Sequence, residues 1–409
     1  MSWKPPPRRS RHSRGFVHGL LAVAATASAI VPLQAQESGS GPIRSRDSPL
    51  IITRGWLPVA SVTMAFPTSK GTHREALLVQ AGDAALLEAI RETMADQPVR
   101  VTYDSDATGR YFVATAAPEV VESVLGAMRR AARTTLPTRL VEDAVSALRS
   151  DLVFRGELPR SRFDRVMDAH LRGEGGAPGG GAAVAPADSA GLAAEITTGT
   201  PAARWGAPTW VVVGSEEALA ADELRPPPLL VAVDAPARPP EPLLTQLPSD
   251  AVTRWVGSAF RFPPRTTLLE ASFVRLLLEE SLERRRDPDL FEFDTEIDAL
   301  GRLVVRLSTS ADASGSWETR LDETIRRLGS EDGGVRLDQL LPPVHSHWSR
   351  ELAPAPGAGR AAAEALLRGA TDLQAAALTQ SAANPPTAER LKAVARGMTL
   401  AIRVVYGSS

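Results

Sequence analysis

The chain has 409 residues, 46 Lys+Arg against 48 Asp+Glu, 6 His and no Cys. Without Cys, disulfides, thiolate zinc sites, iron–sulfur clusters and cysteine nucleophiles are excluded together. A net charge of −2 gives no ground for a nucleic-acid partner, while 43 % hydrophobic and 23 % charged residues describe a globular chain of two-domain length.

The first 35 residues carry Lys4, Arg8, Arg9, Arg11 and Arg14 and no acid. An uncharged stretch follows, with LLAVAATASAIVPL inside it and a small residue at Ala35. A basic start, a weakly apolar centre and a small-residue end read as a secretory signal over residues 1–35. The stretch is too rich in Ala, Ser and Thr for a permanent membrane span. The expectation is a periplasmic or secreted bacterial protein that meets the membrane only during export. Removing those cations leaves an acidic remainder. Residues 36–55 open with a polar, Gly/Ser-rich run and read as a flexible leader.

Structured patterning begins near Val59. VASVTMAF (59–66) alternates like a strand. Leu77, Leu78, Ala81, Ala85, Leu86, Ala89 and Ile90 recur at helical spacing, and Pro98 ends the run. Residues 99–104 and 110–116 are β-rich and flank the turn-like DSDATG, which predicts a hairpin. Pro118 opens a helix with Val121, Val124, Leu125 and Met128 on its buried face. Residues 141–170 continue as one or two amphipathic helices. GEGGAPGGG (173–181) reads as a loop, and WVVVG (210–214) as an apolar strand. Eight prolines between 226 and 248 predict an extended linker.

The order then restarts, with a strand at 253–262, a helix at 267–286, a hairpin at 291–297 and 302–309, and a helix at 317–328. A helix near 387–397 and a strand at 399–406 close the chain. Strand–helix–strand–strand–helix thus occurs twice at a near-constant offset, which argues for duplication. The expected fold is α+β: two duplicated α/β-sandwich halves, each with a mostly antiparallel sheet. The expected limits are 56–224 for the first half, 225–250 for the linker and 251–409 for the second.

This duplicated unit behind an export signal resembles the insulinase/pitrilysin-type metallopeptidases. Those enzymes place an inverted zinc motif, HxxEH, on the first long helix, in a context like G-x-A-H-x-x-E-H. Here the stretch is Gly82-Asp83-Ala84-Ala85-Leu86-Leu87-Glu88-Ala89. The Gly, Ala and Glu keep register, but Ala85 and Ala89 stand where both His would be. In the motif two imidazoles on one helical face bind Zn²⁺ and the Glu activates its water. Alanine offers no lone pair, so Glu88 is a vestige or an ordinary helix charge. The resemblance implies a third ligand, a Glu, on the helix around 141–152; Glu142 or Asp151 falls there. It also implies an Arg and a Tyr in the second half that position substrate. The matching stretch LERRRDPDLFEF (282–293) offers Arg284 or Arg285 for the Arg, and Phe291 or Phe293, without a hydroxyl, for the Tyr.

Other candidates have plainer readings. His345 and His347 alternate as strand metal ligands do, but prolines and Trp348 flank them and no acid lies within three residues on either side, which reads as a surface or loop pair without a ligand. His73 precedes the first helix and His170 ends one, where a cation suits the dipole. The Arg284–Arg286 run sits at a helix C-terminus for the same reason. The 173–181 loop lacks the Lys-Ser/Thr of a phosphate loop. Trp205, Trp210, Trp255, Trp317 and Trp348 read as core residues.

The implied protein is a catalytically inactive homologue, with no metal, no cofactor and no catalytic residue. Its implied role is non-catalytic partner to a zinc-containing subunit of the same type, or a clamp for a peptide ligand. The alternatives are a standalone envelope scaffold and an active zinc endopeptidase with other ligands.

Overall fold

The computed structural model describes residues 48–54, 57–68, 73–156, 158–171, 189–214, 242–247, 252–286, 288–330, 337–380 and 385–407. The signal and the 173–181 loop lie outside them.

Alternation along the strands builds two sheets. The first contains β1 (Leu50–Thr53), β2 (Ala60–Pro67), β3 (Arg100–Ser105), β4 (Gly109–Ala116) and β5 (Thr209–Gly214), in the order β1-β5-β2-β4-β3. The second contains β6 (Leu243–Leu247), β7 (Thr253–Arg261), β8 (Leu290–Ile297), β9 (Arg302–Ser310) and β10 (Thr399–Tyr406), in the order β6-β10-β7-β9-β8. The two orders are the same series one half apart. In each sheet the edge pair β1/β5 or β6/β10 is parallel and every other pair is antiparallel. Both hairpins turn on the same device. Asp106 Oδ1 accepts from the backbone N–H groups of Thr108 (2.8 Å) and Gly109 (2.9 Å). Asp298 Oδ1 accepts from those of Leu300 and Arg302, both at 2.9 Å.

The first half carries α1 (His73–Thr93), α2 (Val121–Arg133), α3 (Thr138–Gly156), α4 (Pro159–Leu171), α5 (Ser189–Thr197) and α6 (Pro201–Trp205). The second carries α7 (Leu268–Glu283), α8 (Ser314–Leu328), α9 (Leu337–Leu352), α10 (Ala355–Leu367), α11 (Asp372–Gln380) and α12 (Ala388–Arg396). Thr267 caps α7 in a full capping box with Glu270. Thr200 and Thr387 cap α6 and α12.

Each sheet is buried on both faces, and the two faces have different owners. In the first sheet Ala60, Val62, Met64, Phe66, Phe112, Ala114, Trp210 and Val212 pack on α1, α2 and α3. Leu50, Ile52, Tyr111, Val113, Val211 and Val213 face the other way, toward Ala355, Ala358, Ala362 and Ala363. Those alanines belong to α10, from the second half, which lies across β2, β4 and β5. The exchange is reciprocal. α4, from the first half, packs on β7 and β10, with Phe163 and Met167 against Ala259, Val304, Ile402, Val404 and Tyr406. Small residues make the close approach on both sides. A Cβ on Gly359 of α10 would lie 2.6 Å from Thr63 Oγ1, and one on Gly257 of β7 would lie 2.7 Å from Met167 Sδ. Ser45–Ser409 accordingly forms a single compact unit.

Ion pairs sit at the same seams. Arg360 of α10 reaches Asp104 and Asp106 of the first hairpin, each at 2.9 Å. Arg306 of β9 meets Glu296 (2.6 Å) and, across the halves, Asp168 of α4 (3.3 Å). Arg54, after β1, donates to the carbonyls of Leu352 (2.5 Å) and Thr379 (2.6 Å).

Three expectations change. β1 falls inside the expected leader (36–55), and β6 inside the expected linker (225–250). Both are edge strands, and Pro242 falls just before β6, where a missing N–H costs no ladder bond. His345 and His347 lie on α9, a helix, with Pro342 and Pro343 inside it. Residues two apart on a helix do not share a face, so the strand geometry for shared ligation is absent.

Candidate functional site

The zinc-motif stretch lies in the middle of α1. Leu77, Leu78, Ala81, Ala85, Leu86 and Ile90 turn inward and make the helix amphipathic. Ala85 is only 1 % exposed, and Ala89 packs on the same core. The side chains at positions 85 and 89 are therefore methyl groups that contact apolar side chains. Glu88 is exposed and pairs with Arg91 at 2.6 Å, one turn on. Among the described residues no three His, Cys, Asp or Glu stand close enough to hold a metal. This donor set does not fit a zinc ion, and no chemical step through one follows.

The two third-ligand candidates share α3. Glu142 is exposed and Asp151 is half-buried. In the second half Arg284 ends α7. Its Nε donates to Glu280 at 2.8 Å and its Nη2 to the carbonyl of Gln339 at 3.4 Å. Pro343 has no N–H for that carbonyl four residues earlier in α9, so Arg284 takes up an acceptor that the helix leaves open. Arg285 donates to Thr324 Oγ1 at 3.4 Å. Phe293 pairs with Leu307 across β8/β9 and packs on the second core, while Phe291 is exposed. Arg284, Arg285 and Phe293 are thus held by local partners. The structure does not assemble Glu88, Arg284, Arg285 and Phe293 into one constellation.

Other single residues also find structural roles. Trp210, Trp317 and Trp348 are buried, and Trp205 and Trp255 pack at the core margins. His170 joins the halves, with Nδ1 against the carbonyl of Val166 and Nε2 against Thr245 Oγ1, both at 2.9 Å. His347 pairs with Glu351 at 3.1 Å.

A buried polar centre beside the motif escapes sequence reasoning. Asp83, next to Gly82, is 1 % exposed. Its Oδ1 accepts from Arg110 Nη1 and its Oδ2 from Tyr103 Oη, both at 2.7 Å. Arg110 lies between the rings of Phe66 and Trp205, 5.3 and 5.0 Å from their centroids. Burial pushes the Asp83 carboxyl up to about 6, against the opposing pull of Arg110 and Tyr103. Tyr103 is raised for the same reason and further by the Asp83 charge. A Cβ on Gly82 would sit 2.4 Å from the Trp205 ring. The motif glycine therefore survives here as room for an indole. The one sequence cue was Arg110 within an otherwise apolar strand.

The described surface also has a groove of about 520 Å³ between α3 and α5, lined by Thr138, Glu142, Val145, Ser146, Arg149 and, on α5, Ser189 to Thr197.

No family profile matches the sequence, and neither does any curated protein. Solved structures do match the fold. An inactive domain of an M16 peptidase from Pseudomonas fluorescens aligns at 13 % identity and TM-score 0.53, over 88 % of this chain and 95 % of that one. A protease from Helicobacter pylori aligns at 10 % identity and TM-score 0.55, over 87 % and 96 %. The periplasmic protease PqqL of Escherichia coli aligns at 13 % identity and TM-score 0.53, over 88 % of this chain and 44 % of its own. The chain has the two-half fold of M16, insulinase-type, peptidase domains.

Proposed function

We propose that the chain is an exported, non-catalytic insulinase-type homologue that serves as partner subunit to an active zinc peptidase. One observation carries the reading: a complete two-half peptidase fold whose two zinc-imidazole positions are the packed methyl groups of Ala85 and Ala89. A fold kept whole while its metal site is filled with core side chains retains surface and shape as its uses. The inactive M16 domain from Pseudomonas fluorescens shows that this fold occurs in an inactive form. Export rests on the basic and apolar pattern of residues 1–35. Among the described residues no helix is long and apolar enough to cross a membrane.

The test is purification from the native envelope, followed by metal analysis, peptide cleavage and identification of what co-purifies. A stable complex with an HxxEH-bearing subunit, and no zinc in this chain, is the expected result. Recovery as a lone monomer would overturn the partner role in favour of a standalone scaffold. Stoichiometric zinc, with hydrolysis abolished by Glu88→Ala, would overturn the non-catalytic reading.

A further inference from the structure

The groove between α3 and α5 has two walls of different chemistry. Glu142, Ser146 and Arg149 follow one another at i, i+4 and i+7 and line a single face of α3. Two turns separate Glu142 from Arg149, about 10 Å along the axis. The α5 wall carries Ala190, Ala193 and Ala194. The Thr197 hydroxyl is turned into its own helix, onto the carbonyls of Ala193 (3.0 Å) and Ala194 (2.9 Å), which leaves that wall largely apolar. Val145, 4 % exposed, joins the lining.

The charges of this groove differ from those around it. Arg139, one turn earlier on α3, is committed to Glu92 at 2.5 Å and Asp143 at 3.7 Å. Arg74 is committed to Glu195 of α5 at 2.9 Å. Glu142 and Arg149 make no hydrogen bond or ion pair among the described residues, and at i, i+7 they stand too far apart to neutralise each other. A negative group and a positive group, unpaired and about 10 Å apart, border a partly apolar trough.

We infer that this groove binds a short peptide with both ends free. The ammonium group would pair with Glu142 and the carboxylate with Arg149, as a charge-assisted fork. Extended chain advances about 3.3–3.6 Å per residue, so three residues match the span. The volume of about 520 Å³ lies in the range that encloses small ligands. The alanine wall favours small aliphatic side chains. The inference does not depend on a partner subunit or on peptidase ancestry, because every group it uses belongs to α3 and α5.

The experiment is titration of the full chain with Ala-Leu-Ala, read by ligand-observed NMR and calorimetry. The expected result is saturable binding that weakens at least tenfold when either end is capped, by N-acetylation or C-amidation. Arg149→Gln should weaken the free tripeptide at least tenfold and leave the C-amidated peptide unchanged; Glu142→Gln should do the same for the N-acetylated one. Both side chains are exposed, so both variants should keep the wild-type circular dichroism. Should either misfold, the capping comparison on wild-type protein decides alone. Equal affinity for free and doubly capped peptides would overturn the proposal, as would no saturable binding at millimolar peptide. Loss of the partner complex without loss of tripeptide binding would reject the proposed function and leave this inference standing.

Discussion

At the scale of single residues, Asp83 shows how burial and pairing oppose each other. Its carboxyl has lost its water, and one guanidinium and one phenol replace it. Desolvation is the larger effect, so the folded protein holds the proton up to about pH 6, against about 4 in an unfolded chain. A folded-state pKa raised in this way favours folding fully below about pH 4. That contribution fades as pH rises through about 6. The span corresponds to about 3 kcal/mol. Urea unfolding of the wild type between pH 4 and 7 should therefore show stability falling with pH across this window. Asp83→Asn mimics the protonated acid and should flatten the fall, whatever its own offset from loss of the Arg110 pair. An unchanged slope in the variant would mean that Asp83 is ionised throughout. The centre was illegible in the sequence for a physical reason. Asp83 and Arg110 come together only because a helix crosses a strand, and periodicity carries no information about that crossing.

At the scale of elements, the seams decide what each helix tolerates. Gly359 lies mid-helix in α10, where alanine would ordinarily gain about 1 kcal/mol of helix propensity. The space forbids it, because the new Cβ would press on Thr63 Oγ1 at 2.6 Å and Ser61 Oγ at 3.2 Å. Overpacking of this kind costs about 1–3 kcal/mol, so Gly359→Ala should be net destabilising. Gly315 in α8 meets nothing within 4 Å, and Gly315→Ala should be neutral to stabilising by up to about 1 kcal/mol. Opposite signs in thermal unfolding check the pair; equal signs would show that the α10 seam yields. Arg306 supplies a second case. It faces Asp164, Asp168, Asp294 and Glu296, and burial already raises Asp164 and Glu296. Arg306→Leu should cost about 2 kcal/mol near pH 7, where these acids repel, allowing for their partial exposure. The loss should shrink near pH 4, where Asp164 and Glu296, already raised by burial, take up protons and relieve the repulsion. Urea midpoints at the two pH values measure it, and a pH-independent loss would assign the effect to packing alone. Helices and hairpins of this kind were legible because their apolar periods and Asp-led turns are local. The edge strands β1 and β6 were not, being four and five residues long and set in polar or proline-rich sequence.

At the scale of the whole molecule, the duplication and its closure are separate facts. The repeat of strand order was readable from the sequence, because each half carries its own pattern in order. The exchange of α4 and α10 was not, since an amphipathic helix does not name the sheet that it covers. The exchange changes what a half means physically. Cut between β5 and β6, the first half would expose Tyr111, Val113, Val211 and Val213, now beneath α10. Its α4 would expose Phe163 and Met167, now beneath the second sheet. The second half would be left with the complementary faces bare. Burying an apolar side chain contributes about 1.5–3 kcal/mol, and domain stability is about 5–15 kcal/mol in all. Loss of several such side chains at once therefore exceeds what either half has to spare. Two predictions follow from this one comparison. The intact chain should unfold in a single cooperative transition by calorimetry, with equal van't Hoff and calorimetric enthalpies. The fragments 45–214 and 242–409, made separately, should each lack a cooperative transition and should recover one when refolded together. Two independent transitions in the intact chain, or a cooperative melt from either fragment alone, would show that the exchanged helices cover the sheets without holding them together.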